Sequence, residues 1–259
     1  MIHPLALVDP NAKIANDAQI GAFSVVEAGA EIGAGCVLAS HVIVHTGSIL
    51  RDNVLVDSFA VIGGNPQDKS FDCSMETGVE IGEGTVVREH VTIHRSTKPH
   101  RCTHVGARCL LMAGAHIAHD CTVADDVILA NGSMLGGHVE VGRWAFISGG
   151  VVIHQHCRVG SGALISGNAY MSQDVAPGVL AHSRNTLSGL NLVGLRRRPV
   201  VNASIVELKH LYHVVFAPGV NCIKEAKQAL EGLTYTSPEG IDFLEFFAGG
   251  TRGCFATPR

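Results

Sequence analysis

An aliphatic side chain returns every sixth position from the first residues of the chain: Ile2, Val8, Ile14, Ile20, Val26, Ile32, Leu38, Val44, Leu50, Val56 and Ile62. With about one residue in four aliphatic, so long a series in one phase arises by chance roughly once in 10⁶ to 10⁷ trials, so the period is structural. It resumes at Ile81, Val87 and Ile93, skips Pro99, and runs on from Val105 through Leu111, Ile117, Val123, Leu129, Leu135, Val141, Ile147, Ile153, Val159 and Ile165 to Met171. Two places ahead of the aliphatic stands a small residue, as in Ala18, Ser24, Ala30, Cys36, Cys109, Ala115, Cys121, Ala145 and Cys157. Each hexad thus has two inward positions.

A helix repeats at 3.6 and a strand at 2, but a short strand followed by a tight corner repeats at six. Three such sides close a triangular coil of about 18 residues, and stacked coils pair their strands at about 4.8 Å per step. The hexads predict between eight and nine coils, a prism of about 40 Å. Gly21, Gly33, Gly63, Gly82, Gly106, Gly142 and Gly160 follow the aliphatic directly and are expected to supply unusual backbone angles at corners. Interruptions at 65–78 and 98–103 are read as loops, the usual carriers of binding residues on a rigid scaffold. Residues 1–190 are expected to form the β-solenoid and 191–259 a helical domain. Within the latter, Ser204-x-x-Glu207 reads as a capping box ahead of Ile205, Leu208, Leu211, Tyr212 and Val215. A second helix is expected over 222–230, and Ser237-Pro238 starts a third.

Composition narrows the function. The chain is 46% hydrophobic and 16% charged, which excludes disorder, and its 30 glycines keep no three-residue spacing, which excludes collagen. A net charge of −4 gives no broad basic field, so nucleic acid is not an expected partner. With no long apolar run and no basic, apolar leader, a cytoplasmic protein without a membrane span is expected. The eight cysteines include no Cys-x-x-Cys pair, and Cys36, Cys109, Cys121 and Cys157 fall in the small inward slot, where a thiol acts as a compact hydrophobe.

Residues 18 apart share a column of neighbouring coils. His119 therefore lies beneath Gly137, then Gln155 and Gln173, while Asp120, His138 and His156 form the adjacent column. None of His94, His116, His119, His138 and His154 takes an inward slot, so they are expected on a lateral face, as a base cluster or as metal ligands. Gly137, Gln155 and Asp120 in the neighbouring columns suit a polarised base beside a backbone donor better than a three-histidine site, so neither metal nor cofactor is expected.

The run Gly114-Ala115-His116-Ile117-Ala118-His119-Asp120-Cys121, with Val91-Thr92-Ile93-His94-Arg95, Leu135-Gly136-Gly137-His138, His154-Gln155 and Thr251-Arg252-Gly253, resembles the UDP-N-acetylglucosamine acyltransferase family of hexapeptide-repeat proteins. The resemblance covers nearly the whole chain. It implies a left-handed parallel β-helix with a C-terminal α-helical domain, assembled as a homotrimer with the site between subunits. It also implies transfer of an (R)-3-hydroxyacyl chain from acyl carrier protein to the 3-hydroxyl of UDP-N-acetylglucosamine, the first step of lipid A synthesis. His119 would then be the general base, Asp120 its orienting partner, and the Gly137 N–H the oxyanion donor. Asp68, His94, His116, His138, His154, Gln155, Asn191, Arg197 and Arg198 match substrate-contacting positions, and Gly167 matches the family's chain-length ruler. A glycine there implies a long acyl chain of about fourteen carbons. Lys69 stands one place early and Val193 stands where many members carry glutamate. Three alternatives remain: the same transfer onto a 3-amino UDP-sugar, a histidine metal site of the hexapeptide-repeat carbonic anhydrase type, and a non-catalytic trimeric scaffold.

Overall fold

The computed structural model describes residues 1–232, 235–249 and 255–258. Two-residue strands alternate with corners and stack into three parallel sheets, the faces of a triangular prism. Face 1 stacks nine strands from Leu7–Val8 to Tyr170–Met171, and face 2 stacks eight from Lys13–Ile14 to Arg158–Val159. Face 3 begins at Gln19–Ile20, and its last solenoid strand is Leu164–Ile165. Regular coils pair residues 18 apart, as His116 with Met134 and Leu110 with Ile128. The second residue of nearly every strand is buried, and with the small residue two places earlier it fills the interior with Val, Ile, Leu, Ala and Cys.

The corners correct one expectation. The left-handed backbone falls three residues after the aliphatic, at Phe23, His41, Asp120, His138 and His156 among others, and is often not glycine. Of the glycines directly after the aliphatic, Gly63 takes the expected left-handed φ of 82°, whereas the others answer to space: a Cβ on Gly21 would meet Ala39 C at 2.6 Å, and one on Gly82 would meet Ala107 N at 2.5 Å. They let one coil's backbone close onto the next.

Both interruptions emerge at the corner between faces 1 and 2, called here the first corner. Val61 pairs with Thr92, 31 positions on, and Thr92 with His116, 24 on, so two consecutive coils carry the inserted residues. Outward residues divide by face. They are mainly apolar on face 1 (Leu7, Val25, Ile43, Val61) and on face 3 (Val37, Leu55, Leu110, Ile128, Phe146). On face 2 they are mainly polar (Lys13, Glu31, Glu80, Glu140, Arg158). At the third corner, between faces 3 and 1, Phe23, His41, Phe59 and His90 form a ladder with ring centroids 5.0–5.1 Å apart.

Past Met171 the chain is more ordered than its prolines suggested. Val179–His182 and Thr186–Leu190 form an antiparallel hairpin that extends face 3, with Ser183 and Asn185 at positive φ in its turn. Helix α1 (Leu192–Arg197) is capped by the Asn191 side chain, and α2 (Asn202–Val215), α3 (Cys222–Glu231) and α4 (Pro238–Ala248) pack around Phe216, Phe243 and Phe247. The expected capping box is corrected: α2 starts at Asn202, so Ser204 lies buried inside it. Glu207 instead accepts from the Ser237 hydroxyl at 2.6 Å, while Ser237 caps α4 as predicted. No helix among the described residues is long and apolar enough to cross a membrane.

Candidate active site

At the first corner the coil arithmetic becomes contact. His138 N donates to His119 O at 3.0 Å, and His156 N donates to Gly137 O at 2.9 Å, so the two columns rise side by side. The His119 and His138 rings meet edge to face at 5.1 Å, and His138 stacks on His156 at 4.4 Å. A Cβ on Gly137 would lie 2.7 Å from His119 Cε1 and 2.8 Å from Nε2. The imidazole can occupy its place only because residue 137 has no side chain. Among the described residues, no group accepts a hydrogen bond from the Gly137 N–H.

His119 Nδ1 lies 2.8 Å from Asp120 Oδ2. Asp120 is ionised and can only accept, so Nδ1 is the nitrogen that donates in this pair and Nε2 is the one turned to a substrate. Burial by itself would raise the Asp120 carboxyl, but hydrogen bonds from Ser96, Thr97 and His119 outweigh it and bring it down to about 2. His138 Nε2 stands 3.7 Å from the same oxygen. Donor atoms of His119, Asp120 and His138 fall within 4.8 Å of one another, a spacing that raises the question of a cation. The carboxylate, however, is already taken up by two hydroxyls, a backbone N–H and the imidazole, the arrangement of an oriented base.

The other candidate residues separate by corner. His116 Nδ1 is 2.7 Å from Thr92 Oγ1, and its ring meets His94 edge to face at 4.7 Å. His94 is buried although it takes no inward slot; burial, then His116 and His119, push its pKa down to about 4, and its Nδ1 has no partner. Asp68 sits exposed on the 65–78 loop, near enough for His119 to favour its charge, and accepts from the Ser70 N–H and hydroxyl, each at 2.8 Å. His154 and Gln155 are exposed one coil above Gly137. All of these belong to the first corner.

Asn191, Arg197 and Arg198 do not. Asn191 Nδ2 donates to Gly162 O at the second corner, between faces 2 and 3. Arg197 is exposed beside it, and Arg198 reaches into a cavity of about 280 Å³ lined in part by Trp144, Leu195 and Leu208. Arg198 Nη2 is buried without a partner there. Gly167 lies at the third corner; its φ is not left-handed, and a Cβ would press on the Gly149 carbonyl oxygen at 3.3 Å, a tighter approach than ordinary contact but looser than at the corner glycines such as Gly21. Thr251, Arg252 and Gly253 lie outside the described residues. The sequence reading missed Ser96, Thr97 and Thr103, which surround Asp120. They fall where the hexad phase is lost, and the only signal was a pair of hydroxyl residues ahead of the interruption.

A histidine–carboxylate pair at a corner of a hexapeptide prism, under a glycine and flanked by two loops, defines an acyltransferase of the hexapeptide-repeat class. The family comparisons agree. The bacterial hexapeptide transferase model matches residues 6–46 and 102–137, and the model for domain 2 of UDP-N-acetylglucosamine O-acyltransferase matches residues 174–255. An acyl-[acyl-carrier-protein]–UDP-N-acetylglucosamine O-acyltransferase of Herminiimonas arsenicoxydans is 38% identical over 94% of this chain and 93% of its own. One from Campylobacter concisus is also 38% identical, over 97% and 96%. The solved structure of UDP-N-acetylglucosamine acyltransferase from Campylobacter jejuni superposes with a TM-score of 0.93 at 32% identity, covering both chains fully. The chain belongs to the UDP-N-acetylglucosamine O-acyltransferase family, and its prism is the left-handed parallel β-helix of that family.

Proposed function

We infer that the protein transfers a 3-hydroxyacyl chain from acyl carrier protein to the 3-hydroxyl of UDP-N-acetylglucosamine, with His119 as general base. The observation that carries this reading is the His119–Asp120 pair packed beneath Gly137, in a chain of this family. With Nδ1–H held by Asp120, His119 Nε2 takes the proton of the sugar hydroxyl as its oxygen attacks the thioester carbonyl carbon. The Gly137 N–H, one coil above, donates to the oxyanion that develops. That attack forms the C–O bond; collapse of the oxyanion restores the carbonyl, breaks the C–S bond, and passes the proton from His119 to the leaving thiolate. Asp68, His94, His116, His138, His154 and Gln155 line the acceptor and acyl cleft. The contact of the His94 ring with His116, edge to face at 4.7 Å, supports this by placing the two imidazoles together beside the corner. No feature of the corner favours a 3-amino sugar over the hydroxyl.

A homotrimer completes the site. The apolar outer sides of faces 1 and 3 flank the third corner, where Phe23 and Phe59 are 55% and 50% exposed, and contiguous exposed apolar surface marks an interface. Three prisms meeting at that corner set face 3 of one subunit opposite face 1 of the next. The second corner, with Asn191, Arg197 and Arg198, then adjoins the neighbour's first corner with His119. A chain lying in the cleft between them runs inward toward Gly167, whose missing side chain leaves room for long acyl groups. The test is transfer of labelled 3-hydroxyacyl chains of several lengths to UDP-N-acetylglucosamine. His119→Ala is expected to lower kcat by about 10²–10⁴-fold, with a long-chain optimum in the wild type. No product from any chain, or an unaffected variant, overturns the assignment.

A further inference from the structure

The interruption at 98–103 has a local consequence apart from any substrate contact. It departs from face 1 after His94 and rejoins face 2 at Cys102, so Ser96 and Thr97 stand where it leaves and Thr103 where it returns. All three turn their hydroxyls to Asp120. Ser96 Oγ donates to Oδ1 at 2.5 Å, Thr97 Oγ1 donates to Oδ2 at 2.6 Å, and the Thr97 N–H reaches both oxygens at 3.2 and 3.3 Å. Thr103 Oγ1 accepts from the Asp120 N–H at 2.8 Å. Ser96 and Thr103 are wholly buried. Asp120 itself sits at φ 59°, in the left-handed region, where a residue other than glycine has to be held by its surroundings.

We propose that this break in the repeat is a hydroxyl cradle, in which Ser96 and Thr97 act as positioning residues that aim the Asp120 carboxylate and limit how strongly it pulls on the His119 imidazole. The inference rests on His119 being the base. Thr97 Oγ1 and His119 Nδ1 share one oxygen, Asp120 Oδ2. Each hydroxyl that donates to the carboxylate withdraws charge from it, so a cradled Asp120 holds the imidazolium proton less tightly than a bare one. The carboxylate thereby orients the imidazole without locking its proton in place, as a general base requires. Other titratable groups facing the pair are Asp68 on the loop, His94 and His116 on face 1, His138 and His156 on the coils above, and Lys98. Of the groups that bind the carboxylate, the two hydroxyls and the Thr97 N–H do not titrate in the working range, and only the hydroxyls can be removed by a side-chain substitution.

The test compares Ser96→Ala, Thr97→Val, the double variant and Thr97→Ser with the wild type. Thr97→Val is expected to move the acid limb of the kcat/KM pH profile upward by about half to one unit, because a stripped carboxylate makes its imidazole partner more basic. It is expected to lower kcat about tenfold with KM for UDP-N-acetylglucosamine unchanged, and Thr97→Ser restores both. The double variant shifts further. In parallel, the titration of the His119 ring nitrogens is followed by NMR in labelled protein, a readout that needs no turnover, and melting curves verify that each variant folds. An unmoved His119 titration in folded Thr97→Val and in the double variant overturns the cradle. A moved titration with full activity in His119→Ala instead overturns the base assignment and leaves the cradle standing.

Discussion

Gly136 and Gly137 are adjacent, yet they serve different ends. A Cβ on Gly136 would strike the backbone at Gln155 N, 2.7 Å away, whereas one on Gly137 would strike the His119 ring. Gly136→Ala is therefore expected to lower the melting temperature by several degrees, since backbone must move. Gly137→Ala should melt within a few degrees of wild type while losing about 100-fold in kcat, because an imidazole can rotate away but is then misplaced by about an ångström. Melting curves and steady-state rates on the two variants check this, and equal melting losses would refute it. At this scale His119, Gly137, Asp120 and His138 were legible in the sequence because an 18-residue coil turns number into place. Ser96, Thr97 and Thr103 were not, because an interruption erases the register that makes such counting possible.

Among the elements, the 65–78 loop is gripped at three of its points by one residue. Buried Arg95 donates to Asn65 Oδ1 at 3.0 Å, Met75 O at 3.1 Å and Cys73 O at 2.8 Å, and its guanidinium lies 4.9 Å from the Phe71 ring. A lysine keeps the charge but not the fork. Arg95→Lys is expected to speed amide exchange in the loop at least tenfold and, if Asp68 contacts the acceptor, to raise KM for the sugar nucleotide about tenfold with a smaller change in kcat. Exchange rates equal to wild type would contradict the clamp. The solenoid strands were readable in advance, since inward positions at a fixed period leave little choice of structure. The hairpin after Met171 was not. Its first strand pairs with Leu164–Ile165 only 16 residues earlier, off the 18-residue register, and its second turns back antiparallel, so the hexad count does not reach it. The misread box at Ser204 has a similar origin, as Glu207 found its partner in Ser237, 30 residues away.

For the whole molecule, the proposed division of one site between the corners of adjoining subunits predicts complementation. Subunits carrying His119→Ala have an intact second corner, and subunits carrying Arg198→Ala have an intact first corner. After unfolding and refolding together in equal amounts, mixed trimers are expected to recover about a quarter of wild-type activity, the fraction of interfaces that pair two intact corners. Recovery no greater than the sum of the separate variants would place the whole site within one chain. The clue to the proposed assembly was present in the residue just ahead of the aliphatic, mainly apolar on two faces and mainly polar on the third. A search for inward positions passes over it, because an outward side chain gains its meaning only when a neighbouring copy is considered.

The inward cysteines have a consequence for how such a stack comes apart. Cys36, Cys109, Cys121 and Cys157 are buried at different heights, while Cys73 and Cys102 are exposed beside the two loops. Burial raises the Cys121 thiol to about 12, so it stays protonated and shielded while its coil is closed. Because each coil touches only its neighbours, the prism loosens from an end rather than all at once. The buried thiols are thus a set of internal clocks along the axis, each silent until fraying arrives at its level.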